Sequence, residues 1–252
     1  HAVQLESWRG FLFVTLQPGA PSVAEMMVPY EEEVAPYRFE QLRVMGRVTL
    51  RPRPLNWKTI ADNYSDHLHI PVGHPGLTRL FGRNYRIEAQ DHVDRMEGDL
   101  VEKESANPSE RAYQRLLPMV DHLPPVHQRK WLYYKLFPNV AFDIYPDQVD
   151  FMQFLPVSAT ETVIREISYA LPDDRREMRA ARYLNWRINR RVNAEDTELI
   201  TRVQLGMQSA SYEAGPLGTS EVCLRSFARK LRNFIPQARL QQPPAPGWSK
   251  AS

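Results

Sequence analysis

Residues Asp66 to His74 read D-H-L-H-I-P-V-G-H, and the chain's seven histidines are unevenly placed: three of them, His67, His69 and His74, fall within eight residues. Neutral imidazole nitrogen is the commonest protein donor for transition metals, so this crowding beside a carboxylate points to a metal site. His69 and His74 have H-x4-H spacing, with Asp66 three residues before His69. A second H-x4-H pair, His122 and His127 with Asp121 alongside, is interrupted by Pro124 and Pro125 and reads as loop histidines. His67 reads as a packing or hydrogen-bonding residue, and His92 as an exposed one.

The elements that would carry these residues follow from periodicity. Asn56–Leu68 is predicted to be a helix, because Trp57, Ile60, Tyr64 and Leu68 recur at three, four and four. Pro71 and Gly73 then end it. On that helix Asp62, Asp66 and His69 fall within about 60° of one another, opposite the apolar stripe. A long helix is predicted over Arg175–Met207, with the stripe Met178, Ala181, Leu184, Ile188, Val192, Leu199, Ile200, Val203 and Met207. The next step of that stripe after Val192 is position 196, an aspartate. An unpaired carboxylate among core residues costs several kcal/mol, roughly, so Asp196 should meet a cation. The plainer alternatives are a salt bridge to one of the many arginines, or a helix break near Asn193. If the two histidines and this distant acid converge, they form the two-histidine, one-carboxylate facial set of non-haem Fe(II) oxygenases.

Strands are predicted at Trp8–Leu16 (buried on both faces), Leu42–Leu50, Tyr85–His92, Leu100–Ser105, Leu132–Phe142, Val149–Leu155 and Thr162–Ala170. A short acidic helix and loop is predicted within Pro21–Pro36, and a further helix over Ser220–Phe234. Residues 106–130, rich in proline, are expected to form a lid or irregular excursion, and 239–252 a disordered tail. Several strands followed by a long helix give an α+β fold: an antiparallel sheet gripping a long C-terminal helix. One catalytic domain over 1–238 is expected.

Composition narrows the function. Lys and Arg number 32 against 30 Asp and Glu, a formal +2, which gives no electrostatic footprint for nucleic acid or a membrane surface. The seven arginines between Arg175 and Arg191 read as a solvated or subunit-facing helix side. No apolar run approaches the roughly 20 residues of a membrane span. The single cysteine, Cys223, excludes an intrachain disulfide and an all-cysteine metal centre, and fits a cytoplasmic setting. The chain starts at His1 rather than methionine, so a processed chain or a piece of a longer protein is expected.

The stretch N-W-K-T-I-A-D-N-Y-S-D-H-L-H-I-P-V-G-H-P, Asn56–Pro75, resembles the signature of Rieske-type ring-hydroxylating oxygenase α subunits. Glu195-Asp196 followed by Gln204 and Gly206 resembles their E-D…Q-x-G helix, and W-R-G-F-L-F-V resembles the strand after their Rieske domain. The resemblance implies that His69, His74 and Asp196 hold a mononuclear Fe(II), with O2 as co-substrate. Asn63 would sit beside the iron. Asp66 would be the bridging acid toward a Rieske cluster on a neighbouring subunit of a homotrimer, with a small β subunit as a further partner. Asp62 stands where glutamate is common. A [2Fe–2S] Rieske cluster needs two cysteines and two histidines; with one cysteine, placed after the histidine motif, the cluster is expected on a missing domain or a partner chain, fed by a reductase or ferredoxin.

The implied activity is hydroxylation of an aromatic or related small organic substrate. Phe142, Phe151, Phe154 and Tyr169 are candidate pocket residues, with core packing the simpler role for each. The rival reading is a non-catalytic module that binds a hydrophobic ligand between sheet and helix. A zinc hydrolase on the same three ligands ranks last, for want of a glutamate base next to a histidine.

Overall fold

The structure, a computed structural model, describes residues 3–240. The chain opens with β1 (Gln4–Trp8), β2 (Phe11–Thr15), α1 (Val23–Met27), α2 (Glu31–Val34), β3 (Arg43–Val44) and β4 (Thr49–Arg53). Three helices follow, α3 (Trp57–Ser65), α4 (Ile70–Gly73) and α5 (Pro75–Phe81), then β5 (Tyr85–Ala89) and β6 (Val93–Asp99). α6 (Pro108–Leu116) leads into β7 (Lys130–Leu136), β8 (Val140–Ile144), β9 (Val149–Pro156) and β10 (Thr162–Ala170). The described chain closes with α7 (Arg176–Met207) and α8 (Val222–Phe234).

Eight strands form one antiparallel sheet in the order β3-β10-β9-β8-β7-β6-β5, with β4 also paired to β10. Both faces are covered, which is why every residue of β7 is buried. The outer face presents Tyr134, Phe142 and Phe151 to the hairpin β1–β2 and to the α1–α2 segment. The inner face presents Tyr133, Tyr145, Met152 and Phe154 to the helices. The antiparallel sheet and long helix of the predicted α+β class are both present.

Several predicted boundaries differ, each for a local reason. Trp8–Leu16 is not one strand. Arg9 (φ 47°) and Gly10 (φ 87°) form a two-residue turn that folds it into the β1–β2 hairpin. Arg9 is held there by ion pairs to Glu31 and Glu40. Only the Phe11 and Phe13 side packs inward; Leu12 and Val14 are 72% and 61% exposed, not buried as the pattern implied. Leu42–Leu50 splits into β3 and β4 around Met45–Val48. Leu132–Phe142 splits at Pro138, which has no amide hydrogen to continue the ladder.

The predicted strand at Leu100–Ser105 is absent, and the strand is β6 instead. Its sequence, V-D-R-M-E-G-D, hides a central strand because its charges are answered by partners: Arg95 by Glu33, Glu97 by Lys130, and Asp94 by Lys135. The expected lid over 106–130 contains α6, packed against α7; Tyr113 is fully buried and donates to Asp147 (2.7 Å). In the expected tail, residue 239 ends a helical turn over Pro236–Arg239, and residues 241–252 lie outside the described residues. Val203 and Met207, assigned to the core stripe of α7, are 46% and 45% exposed.

Candidate metal centre

The predicted helix over Asn56–Leu68 stops at Ser65, three residues early. Asn56 caps its start, with Oδ1 accepting from the Lys58 amide (3.0 Å). At its end Asp66 turns extended (φ −79°, ψ 145°), and its carboxylate accepts from the amides of Leu68 (3.2 Å) and His69 (2.9 Å). His69 therefore lies on a turn built by Asp66, not on the helix face where the wheel placed it. The same carboxylate contacts His69 Nδ1 (2.8 Å). That contact puts the ring proton on Nδ1 and turns the Nε2 lone pair outward. Burial works against the Asp66 charge, but the bonds from His69 and Leu68 hold its carboxyl below the usual range.

His74 sits between α4 and α5, 2% exposed, and its position is set from both sides. α5 is pressed onto the sheet by Phe81, whose ring passes so close to β6 that a Cβ added at Gly98 would lie 2.7 Å from Phe81 Cδ1. On the other side Glu195 Oε2 contacts His74 Nδ1 (3.0 Å). Burial pushes the His74 ring down in pKa, but Asp196 and Glu195 together lift it above the ordinary histidine value. Glu195 is in turn held by Arg191 (2.9 Å) one helical turn earlier on α7.

Asp196 is in a continuous helix and meets no arginine: neither a helix break nor an arginine salt bridge accounts for it. Its Oδ1 lies 2.9 Å from His74 Nε2, 3.7 Å from His69 Nε2, and accepts from Asn63 Nδ2 at 2.6 Å. The two Nε2 atoms are 3.2 Å apart. Ligand atoms of His69, His74 and Asp196 all lie within 4.8 Å of one another. Two donors each about 2.1 Å from one ion, at a right angle, stand about 3 Å apart. The three spacings suit a single ion bound on one side, and two imidazoles with one carboxylate suit divalent iron. Gln204 ties the far end of α7 to the start of α3, accepting from the Asn56 amide (3.2 Å) and Thr59 Oγ1 (3.0 Å).

The other candidates fall elsewhere. Asp62 faces Lys135 and Lys58, and burial pushes it up to about 6. His67 stays outside the triad, with its buried Nδ1 unpartnered among the described residues. His127 stacks on Tyr37 at 5.6 Å. His92 is exposed in the β5–β6 turn. Of the four pocket aromatics, only Phe154 lines the cavity beside the triad; Phe142, Phe151 and Tyr169 pack around Phe11 on the opposite face.

That cavity, of about 130 Å³, is bounded by His69, His74, Asp196, Tyr64, Tyr133 and, across the sheet, Asp143 and Asp150. Sequence reading did not find the two acids. Their signal was phase: Asp150, Met152 and Phe154 alternate on one face of β9, so Asp150 had to point with core residues. Burial lifts Asp143 to about 7 and Asp150 well above the carboxylate range.

Residues 39–237 match the family model for the ring-hydroxylating α subunit catalytic domain. The carnitine monooxygenase oxygenase subunit of Acinetobacter baumannii is 25% identical over 215 residues, 83% of this chain and 54% of that protein. Its counterpart from Escherichia coli K12 is 31% identical over 115 residues, 44% of this chain and 29% of that protein. The chain thus spans about half the length, or less, of these curated relatives. A quaternary ammonium Rieske monooxygenase superposes with a TM-score of 0.68 at 18% identity, covering 91% of this chain and 60% of that one. Naphthalene 1,2-dioxygenase from Rhodococcus gives 0.62 at 16% identity, covering 91% and 65%. At these identities the superpositions establish the fold. With the family model spanning most of its length, the chain belongs to the ring-hydroxylating α subunit catalytic-domain family.

Proposed function

We propose that this chain is the catalytic part of a terminal oxygenase that uses O2 and a mononuclear Fe(II) to oxidise a small organic molecule. The observation that carries the reading is the convergence of His69 Nε2, His74 Nε2 and Asp196 Oδ1, from two separate chain regions, within one ion's reach. His69, His74 and Asp196 would hold the iron, which would supply the redox chemistry of oxygen insertion. The chain's own residues prepare that position. Asp66 and Glu195 fix the tautomers of His69 and His74, and Asn63 holds Asp196 by its coordinating oxygen. Tyr64, Tyr133 and Phe154 wall the cavity and limit water at the reacting face.

Electrons come from a separate redox centre. Asp66 is the bridging acid of the proposal: one oxygen already holds His69 Nδ1, and the side chain is partly exposed. The donor is a [2Fe–2S] Rieske centre, served by a reductase or ferredoxin, with a homotrimer, with or without a small β subunit, as the assembly. No described helix is long and apolar enough to cross a membrane; a cytoplasmic setting is part of the proposal. The names of the relatives, carnitine and glycine betaine on one side and naphthalene on the other, span quaternary ammonium and aromatic substrates. A carrier of hydrophobic ligands is disfavoured, because a carrier has no use for three converging ligand atoms tautomerically fixed by two further acids.

The test supplies the electron source. Iron-loaded protein with a Rieske partner and a reductase should consume O2 when offered aromatic acids or quaternary amines. Uptake that depends on substrate and vanishes in Asp196→Ala supports the reading; substrate-independent uptake, or none with any donor pair, overturns it.

A further inference from the structure

A second cavity, of about 520 Å³, lies between α7 and the sheet, nearer the start of that helix. The triad cavity meets α7 between Asn189 and Ile200; this one meets it between Arg179 and Trp186, beside the β3–β4 connection and the later half of β10. Its size suits a small molecule. Among the described residues Glu166 alone lines both cavities.

The second cavity gathers positive charge. Arg47, Arg51, Arg179 and Arg182 line it against one carboxylate, Glu166, and that one is paired with Arg51. Arg182 is fixed by backbone rather than by an acid: its Nε donates to the Asp147 carbonyl (2.9 Å) and its Nη2 to the Leu171 carbonyl (2.7 Å). Burial works against its charge, and Asp147 and Asp173 offset this only at longer range. Arg47 and Arg179 are exposed and form no ion pair among the described residues. Three guanidiniums gathered without an acid of their own repel one another, and an anion among them relieves that repulsion. Guanidinium forks match the oxygens of a phosphate two at a time.

One wall is aromatic. Tyr183 and Trp186 line the cavity 56% and 50% exposed, with ring centroids 5.9 Å apart and planes 31° apart. Half-exposed rings beside guanidiniums offer a flat ligand a stacking surface. Gln148, 5% exposed, also lines the cavity; its Nε2 is spent on Asp150 (3.0 Å), and its Oε1 has no partner among the described residues. A ligand hydroxyl or N–H would supply one.

We propose that this cavity is a second ligand site, separate from the triad, and that it takes a nucleoside monophosphate. Arg47, Arg179 and Arg182 hold the phosphate, Tyr183 and Trp186 face the base, and the ribose hydroxyls are the donors within reach of Gln148. A phosphate monoester carries close to two charges, so it answers three guanidiniums better than a single carboxylate does. The inference is independent of the oxygenase reading.

Calorimetric titration of this chain with AMP and with UMP tests it. At least one nucleotide should bind saturably, about tenfold or more tighter than its own nucleoside and than inorganic phosphate. The double variant Arg47→Gln/Arg179→Gln should weaken that binding about tenfold or more, and Trp186→Ala should remove the advantage over inorganic phosphate. Arg53→Gln, which alters the triad cavity and not this one, should leave the affinity unchanged. Binding by neither nucleotide, a nucleoside as tight as its nucleotide, full affinity in the folded double variant, an advantage over phosphate that survives in Trp186→Ala, or loss of binding in Arg53→Gln would each overturn the proposal. If the double variant fails to fold, the ligand comparison in the unsubstituted chain and the Arg53→Gln result decide.

Discussion

Two sets of acids lie on the same face of the same sheet, one residue row apart, and the fold treats them in opposite ways. Asp94 on β6 is 1% exposed and stands between two lysines, Lys135 from β7 and Lys230 from α8, each 3.1 Å away. Lys135, fully buried, also donates to the Ala61 carbonyl of α3 (3.1 Å) and sits 4.2 Å from the Phe227 ring of α8. That cluster clamps α3 and α8 to the sheet. Asp143 and Asp150, in the adjacent row, have no ion-pair partner among the described residues. Where an acid serves structure it is neutralised in place. Where the row reaches the cavity the acids are left to neutral hydrogen-bond donors.

The comparison breaks hardest at Lys135. Lys135→Met leaves Asp94 with one lysine and removes a helix tether, and urea unfolding should show a loss of about 3 kcal/mol. A change below about 0.5 kcal/mol would mean that the cluster is not structural. Next comes the acid behind His74. Glu195→Gln keeps the shape but weakens the hold on Nδ1, and ferrous affinity should fall about 10- to 100-fold; an unchanged dissociation constant would remove Glu195 from the site.

Smaller in size is the pH response of the unpaired acids. Asp143 is raised from an ordinary 3.8 to about 7. Its folded form favours the proton, so its contribution to stability is complete below about pH 4 and is lost as pH rises through about 7. The chain should therefore melt higher at pH 5 than at pH 8, and Asp143→Asn should flatten that difference. An unaltered slope in the variant would assign the pH response to other groups. Least of all should matter at Arg202–Glu198, an exposed i,i+4 pair on α7, where Arg202→Ala should shift stability by about 0.5 kcal/mol or less.

The convergence of His69, His74 and Asp196 was legible because each of them broke a pattern. The histidines crowd one segment, and Asp196 occupies a core phase of α7. Yet the wheel argument reached Asp66 and His69 for the wrong reason: the helix ends at Ser65, and it is the Asp66 carboxylate bonding two following amides that orients His69. β6 stayed hidden because V-D-R-M-E-G-D has the composition of a loop, and its charges find partners only after β7 and α2 are in place. The β1–β2 hairpin turned on the positive φ of Arg9 and Gly10, a weak local signal without asparagine or aspartate. Asp143 and Asp150 were invisible as a pair, because only the β8–β9 register brings them side by side.

The account rests on one ion binding His69, His74 and Asp196 together. Anaerobic titration of this chain with ferrous salt, followed by metal analysis after desalting, tests it directly. One iron per chain, reduced to background in His69→Ala and in Asp196→Ala while both variants keep the native circular dichroism spectrum, is the predicted result. Iron retained at full stoichiometry in either variant, or absent from the unsubstituted chain, would contradict it.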